Sequence, residues 1–331
     1  MAKWDVSEAA ARLHEEALVW DMTLPWSVGL EPKDGTLERF AAAGFNFVSL
    51  TVGDDWNWLT DTIKHIGAET ARVEARPDMV LARGVEDILR ARREGKMAVG
   101  FHFQGTNALQ GDVGMVQTYY DLGVRHMLLA YNQKNLVGDG CHERTDAGLS
   151  RFGLQLIAEM NRIGMIVDCT HTGYRTTMEA MEASTSPCIF SHSVSRVLHD
   201  HERNIRDDQA QACARTGGVI GVNGIGFFLS ADYQASVDNM VRHIDHFANL
   251  VGPAHIGLGL DFVYFDDIMM KVYYANPDRY PTGYPAPPWD YFPPERTPAL
   301  TEALLKHGYA EADVRGILGE NFLRVCRQVW R

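Results

Sequence analysis

The chain has 331 residues, 46% of them hydrophobic and 22% charged, with a formal net charge of −12. Such a composition excludes a disordered chain and leaves ample length to bury a large core. The acid excess, with no basic stripe to offset it, excludes the phosphate-backbone contacts of a nucleic-acid partner.

Residues 1–20 carry Asp5, Glu8, Glu15 and Glu16 among alanines, so the basic start and apolar run of a secretory signal are missing. The first apolar run, at about 17–23, reads as a strand, followed by an amphipathic stretch at 37–43. The pattern then repeats: strands at 46–52, 97–104, 124–130, 163–170, 187–191, 218–222 and 255–260 are separated by helical patterns at 85–94, 113–122, 149–162, 176–182, 207–216 and 237–251. Strands alternating with helices pair in parallel, and eight such units close into a TIM-like (β/α)8 barrel. Gly44, Gly95, Gly123, Gly164 and Gly217 each stand between a helix and the next strand, where a left-handed cap turns the chain back. At 266–298 the rhythm breaks into Pro, Tyr and Asp; a long segment of that kind after the last strand is expected to lie over the barrel mouth as an ordered aromatic lid. No composition shift marks a boundary, so residues 1–331 are expected to form one barrel domain. No run approaches the roughly 20 apolar residues of a membrane span. The five cysteines are odd in number and not closely paired, which predicts reduced thiols and a cytoplasmic protein.

Two of the predicted strands run into a histidine, at His171 and His192. The interval holds one crossover helix, so both imidazoles emerge at the same edge of the sheet, where α/β enzymes place their chemistry. A lone histidine after a strand is ordinarily a loop residue. Two at consecutive strand ends, with Asp261 closing the last strand, point to a metal site instead. A divalent ion lowers the pKa of a coordinated water to about 7, and a nearby carboxylate can move its proton toward a leaving group. Asp261 stands where that carboxylate belongs. The remaining strand ends offer Asp21, Thr23, Asp54, Asp55, Gln104, Tyr131 and Asn223.

The order of motifs resembles the membrane dipeptidase (renal dipeptidase) family of zinc hydrolases. The matching pieces are Gly148 to Gly153, Glu159 to His171, Ser184 to Ser193, Arg203 and Asn204, Asp207 and Asp208, Gly217 to Val222, Gly257 to Asp261, and Leu318 to Arg324. The resemblance implies a TIM-like barrel, a homodimer, and a site that holds two zinc ions and cleaves small dipeptides. It places His171 and His192 as ligands of one metal, Asp261 as the acid/base, and Arg203 on the substrate carboxylate, a task suited to a planar guanidinium.

Three positions depart from the family. Its first strand ends in a His-x-Asp pair; this chain has Asp21, Thr23 and Pro25, so the imidazole is missing and Asp21 is the one carboxylate left for a metal. Gln104 takes the place of the bridging glutamate, a neutral and weaker ligand. Tyr131 replaces the histidine that polarises the scissile carbonyl, where it would donate to an oxyanion or wall the pocket. One zinc ion on His171 and His192, with Gln104 or Asp21 adding an oxygen, is therefore expected rather than two, and a metal-free protein is the alternative. His102, Cys141, His142, Glu143 and Asp146 are the residues near enough in sequence to compensate, although a charged loop is ordinarily just solvated. Trp20, Trp26, Trp56 and Trp58 cluster near the first two strand ends; tryptophan faces suit a methylated ammonium, so a protein that has lost hydrolysis and binds a small zwitterion is the rival reading.

Overall fold

The computed structural model describes residues 3–28, 35–264, 271, 273–275, 280 and 283–331. Among the described residues there are nine strands: β1 (Val19–Leu24), β2 (Phe45–Asp54), β3 (Met79–Leu81), β4 (Met97–Gln104), β5 (Val124–Leu128), β6 (Ile166–Asp168), β7 (Cys188–Ser193), β8 (Ile220–Val222) and β9 (Ile256–Leu258). All pair in parallel, in the order β1-β2-β4-β5-β6-β7-β8-β9. The eight predicted strands form this path. The ninth, β3, shares the edge of β4 with β5: it pairs with Met97 to Val99, whereas β5 pairs with Phe101 to Phe103. Between β9 and β1 the barrel is nearly closed by two bonds, the Asp261 N–H to Thr23 O at 3.1 Å and the Leu260 N–H to Asp21 Oδ1 at 2.8 Å.

The predicted helices lie between the strands, at Thr36–Ala42, Val85–Arg93, Met115–Asp121, Arg151–Ile163, Tyr174–Ala183, Asp207–Arg215 and Val237–Val251. Leu59–Glu74 and the C-terminal helices were not among the predicted elements. Helix Arg151–Ile163 starts at Ser150, whose hydroxyl accepts the Gly153 N–H, and stops at Gly164 with φ +96°, a left-handed turn that glycine makes without strain. Parts of the lid predicted at 266–298 lie outside the described residues: 266–270, 272, 276–279 and 281–282. Its far end returns to the strand tips, where the Phe292 N–H donates to Gly224 O and the Gly226 N–H to Asp290 O.

Inward-facing side chains grade the barrel from apolar to polar. At the strand N-termini, Trp20 lies on Phe47 at 3.9 Å between ring centroids and near Phe322 of helix Asn321–Val329, sealing the floor. Two residues further along β2 and four along β4, the buried side chains are Ser49 and His102; at the strand C-termini they are hydroxyls, histidines and carboxylates. The functional edge is thus the C-terminal one, as in other barrels of this kind.

That edge depends on close backbone approach. A Cβ on Gly221 would lie 2.0 Å from Ser191 O, and one on Gly259 1.9 Å from the same oxygen. Gly259→Ala is therefore expected to push apart the strand ends carrying His192 and Asp261, at a cost of about 3 kcal/mol or more, the upper range for overpacking. A thermal melt indistinguishable from that of the parent would refute this.

Candidate active site

His171 leaves β6 through Thr170 with φ +64°, and Asp261 follows β9 with φ +53°. Asn132, after β5, has φ +61°. Left-handed backbone is costly for residues with a Cβ and persists where the surroundings over-determine it, most often at functional sites. Three such residues meet here. The Nδ1 of His171 is 2.6 Å from Asn132 Oδ1, an acceptor, so Nδ1 carries the proton and Nε2 keeps its lone pair. That Nε2 lies 3.1 Å from the Nε2 of His192. The other ring nitrogen of His192 sits between Thr23 Oγ1 at 3.0 Å and Ser191 Oγ at 2.7 Å. Both rings are buried, and burial holds both imidazoles well below their usual pKa, that is, neutral.

Asp261 Oδ2 is 4.0 Å from His192 Nε2. Asn223 fixes that carboxylate: its Nδ2 donates to Asp261 Oδ2 at 3.0 Å while its Oδ1 accepts the Ile225 N–H at 2.6 Å. Burial pushes the Asp261 carboxyl up to about 6, against the opposing pull of Arg203 and the Asn223 bond. Arg203 is almost fully buried, with Nη2 donating to His192 O at 2.7 Å, Nη1 to Ser193 Oγ at 3.2 Å, and Nε without a partner among the described residues. Tyr131 stacks on the His171 ring at 4.0 Å and 22°, and Trp56 meets Tyr131 edge-on at 4.9 Å. Burial raises the Tyr131 phenol well above its usual value, which keeps it a neutral donor. A cavity of about 180 Å³ opens beside this group, lined among others by His171, Arg203, Cys141, Tyr174 and Glu202.

The other sequence-derived candidates are placed differently. The Oδ1 of Asp21 is taken by the N–H groups of Leu260 and Thr23, its Oδ2 is buried without a partner among the described residues, and burial raises the carboxyl well above the usual range. It latches β1 to β9. Gln104 Nε2 donates to Thr51 Oγ1 at 2.9 Å, and His102 spends both nitrogens on Ser49 and Thr51. Trp26 donates to Glu69 Oε2 at 2.8 Å and is buried beside Tyr264, while Trp20 belongs to the floor. Asp55 binds the N–H groups of Thr106, Asn107 and Tyr131 and the amide of Asn135, which fixes the loops after β4 and β5. Asp54 accepts the Trp56 N–H, its carboxyl pushed up to about 6 by burial. Burial pushes the Cys141 thiol up to about 12, and its Sγ donates to Asn132 Oδ1; His142 is bound to Glu202 and Tyr284.

Two imidazole nitrogens on one tetrahedral zinc, at 2.0–2.1 Å each, stand about 3.3 Å apart. The 3.1 Å Nε2 pair, with the His171 tautomer set by Asn132, therefore fits one ion. Among the described residues no group of three or more His, Cys, Asp or Glu could hold a metal. Asn132, Thr23 and Ser191 were missed as supporting residues; the only sequence sign of Asn132 is its place directly after Tyr131.

The family model for membrane dipeptidases, peptidase family M19, matches residues 26–331. An uncharacterized dipeptidase of Schizosaccharomyces pombe is 30% identical over 277 residues, covering 81% of this chain and 62% of that protein. Dipeptidase tcpJ of Claviceps purpurea is 30% identical over 275 residues, covering 82% of this chain and 60% of that protein. The chain thus spans about 60% of the length of these curated relatives. Among solved structures, an amidohydrolase from Pseudomonas aeruginosa superposes with a TM-score of 0.89 at 31% identity, over 97% of this chain and 99% of that one.

Proposed function

The chain belongs to the membrane dipeptidase family, peptidase family M19, and we propose that it is a metal-dependent hydrolase of a small dipeptide or related amide. The observation that carries this reading is the facing Nε2 pair of His171 and His192 at 3.1 Å, with Asp261 4.0 Å from His192. His171 and His192 would hold one divalent ion, most simply zinc, which when bound supplies Lewis-acid polarisation and acidifies water. Gln104 and Asp21 would reach that ion only by giving up the bonds they make to Thr51 and to the β1–β9 closure.

The protein's own groups divide the remaining work. Asp261, with a carboxyl near 6 and oriented by Asn223, takes a proton from the attacking water and returns it to the leaving amine. Tyr131 stays protonated and can donate to the developing oxyanion, and its stacking keeps the His171 ring from turning. Among the described residues Arg203 Nε has no partner, and its charge pulls on the Asp261 carboxyl, which suits the guanidinium to a substrate carboxylate. Trp56, edge-on to Tyr131, would border the amine side of the substrate. We read the protein as a homodimer by the same family likeness and as cytoplasmic from its five cysteines, which show no close pairing; among the described residues no helix is long and apolar enough to cross a membrane.

Elemental analysis of protein purified without added metal, run beside a dipeptide-library assay with and without chelator, tests the proposal. One zinc per chain with chelator-sensitive turnover is the expected result. No metal and no turnover across the library would replace it with the zwitterion-binding reading.

A further inference from the structure

Beneath the histidine pair, six buried polar side chains form one hydrogen-bonded file across the barrel interior. Gln104 Nε2 donates to Thr51 Oγ1 at 2.9 Å, and Thr51 Oγ1 meets His102 Nε2 at 2.9 Å. Ser49 Oγ lies 2.9 Å from His102 Nδ1 and 3.2 Å from His126 Nε2, and His126 Nδ1 donates to Asp168 Oδ2 at 3.2 Å. The two imidazoles lie nearly parallel, 4.4 Å apart. None of the six is more than 5% exposed. Buried polar groups in such a setting specify one arrangement only if each is satisfied.

Asp168 Oδ2 accepts, so His126 Nδ1 carries a proton, and at the other end Gln104 Nε2 donates to Thr51 Oγ1. Between these ends the Ser49 and Thr51 hydroxyls bridge the two rings. Burial, the strongest single influence on Asp168, works to raise its carboxyl, yet the hydrogen bonds from His126 and Ser191 hold it below the usual range, so it is ionised.

The other oxygen of Asp168 faces the site. Its Oδ1 accepts the Thr170 N–H at 3.0 Å and the Ser191 N–H at 3.2 Å. Those are the residues directly before His171 and His192. The β6–β7 register ends at Asp168 and Ile189; past it the strand ends are joined by the Cys169 N–H to Ile189 O at 2.8 Å, by the Asp168 clamp, and by Thr170 Oγ1, which accepts from Ser191 Oγ at 3.3 Å and the His192 N–H at 3.4 Å. We propose that Asp168, oriented by His126, is a positioning residue that sets the spacing of the His171 and His192 Nε2 atoms and so their ability to share an ion. This rests on the metal reading above, and concerns a residue that touches neither the substrate nor the ion.

Asp168→Asn tests it without a change of shape. Asparagine offers one accepting and one donating face: pointing its oxygen at the two backbone N–H groups sets its NH2 against His126 Nδ1–H, and the reverse sets it against both backbone donors. Co2+ is the probe. The variant is expected to bind it about 10–100-fold more weakly than the parent, with an altered visible absorption spectrum. In turnover, kcat should fall by a similar factor while KM stays within about threefold. Leu300→Ala, a cavity in the outer helix Thr297–Lys306, is the control that lowers the melting temperature without moving Co2+ affinity. If Asp168→Asn does not fold, His126→Gln, which leaves the Asp168 clamp but removes its ring partner, takes its place. Affinity within twofold of the parent and an unchanged spectrum overturn the proposal. If the parent itself binds no Co2+, the metal reading fails, and the spacing is then read in chelator-treated protein by 15N resonances of the histidine rings. There Asp168→Asn must shift the His171 Nε2 signal as its contact with His192 opens; an unmoved signal overturns the proposal independently.

Discussion

His171→Ala is expected to lower kcat/KM for the best dipeptide by at least ~10³-fold, a loss of about 4 kcal/mol of transition-state stabilisation, and to reduce bound metal to a small fraction of one per chain. The substitution removes one of the two nitrogens that define the ion position and leaves His192 as a single imidazole among hydroxyls. It also frees the Tyr131 ring, which stacks on His171 at 4.0 Å, so both the ligand and the candidate oxyanion donor lose their placement. The fold should survive, because His171 lies past the end of β6 and makes no ladder bond; circular dichroism and a cooperative melt check this. Asn132→Ala should act through the same ring more mildly, about 10–100-fold, since it releases the tautomer and orientation without deleting the ligand. Full activity in His171→Ala would remove the metal mechanism altogether.

The contrast between those two variants also separates what was legible in the sequence from what was not. His171, His192 and Asp261 end apolar runs, so their place at one sheet edge follows from strand periodicity and a single crossover. The parallel barrel was legible for the same reason: buried parallel strands read as continuous β-branched stretches. Strand β3 has only Met79–Leu81, too short for a period, and it is held by sharing β4 with β5. Helix Leu59–Glu74 escaped because its buried face includes Thr62 and Glu69, and the buried Glu69 is partnered by Trp26 from another element and by Arg72. Asn132 and Asp168 were invisible on similar grounds. Their roles depend on strand register and on left-handed turns, so an asparagine after a tyrosine or an aspartate within a strand announces nothing locally. The departures at Thr23 and Gln104 were legible as losses, but not what they gain. Thr23 supports His192, and Gln104 as an amide donates to Thr51, which a carboxylate in its place would not do.

Asp261→Asn should separate chemistry from stability, because the two respond in opposite directions. Catalysis needs the ionised carboxylate as the initial base, so in the parent kcat/KM should fall about tenfold per pH unit below the carboxyl value of about 6. Asparagine cannot accept and return the proton; turnover at pH 7.5 is expected to drop about 10²–10⁴-fold and the acid limb to flatten. Stability follows the sign of the shift. The folded carboxyl, at about 6, binds its proton more tightly than the unfolded chain, whose model value is 3.8. Below about pH 4 both states are protonated and no penalty exists. Between about 4 and 6 the unfolded chain releases the proton first, so stability declines as pH rises, and above 6 the buried charge costs on the order of 2–3 kcal/mol. Asp261→Asn removes that cost while keeping an oxygen for the Asn223 amide. In chelator-treated protein its melting temperature should therefore match the parent near pH 4 and exceed it at pH 8. A variant that is less active and also less stable at pH 8 would make Asp261 a structural anchor rather than the proton-transfer group of the site.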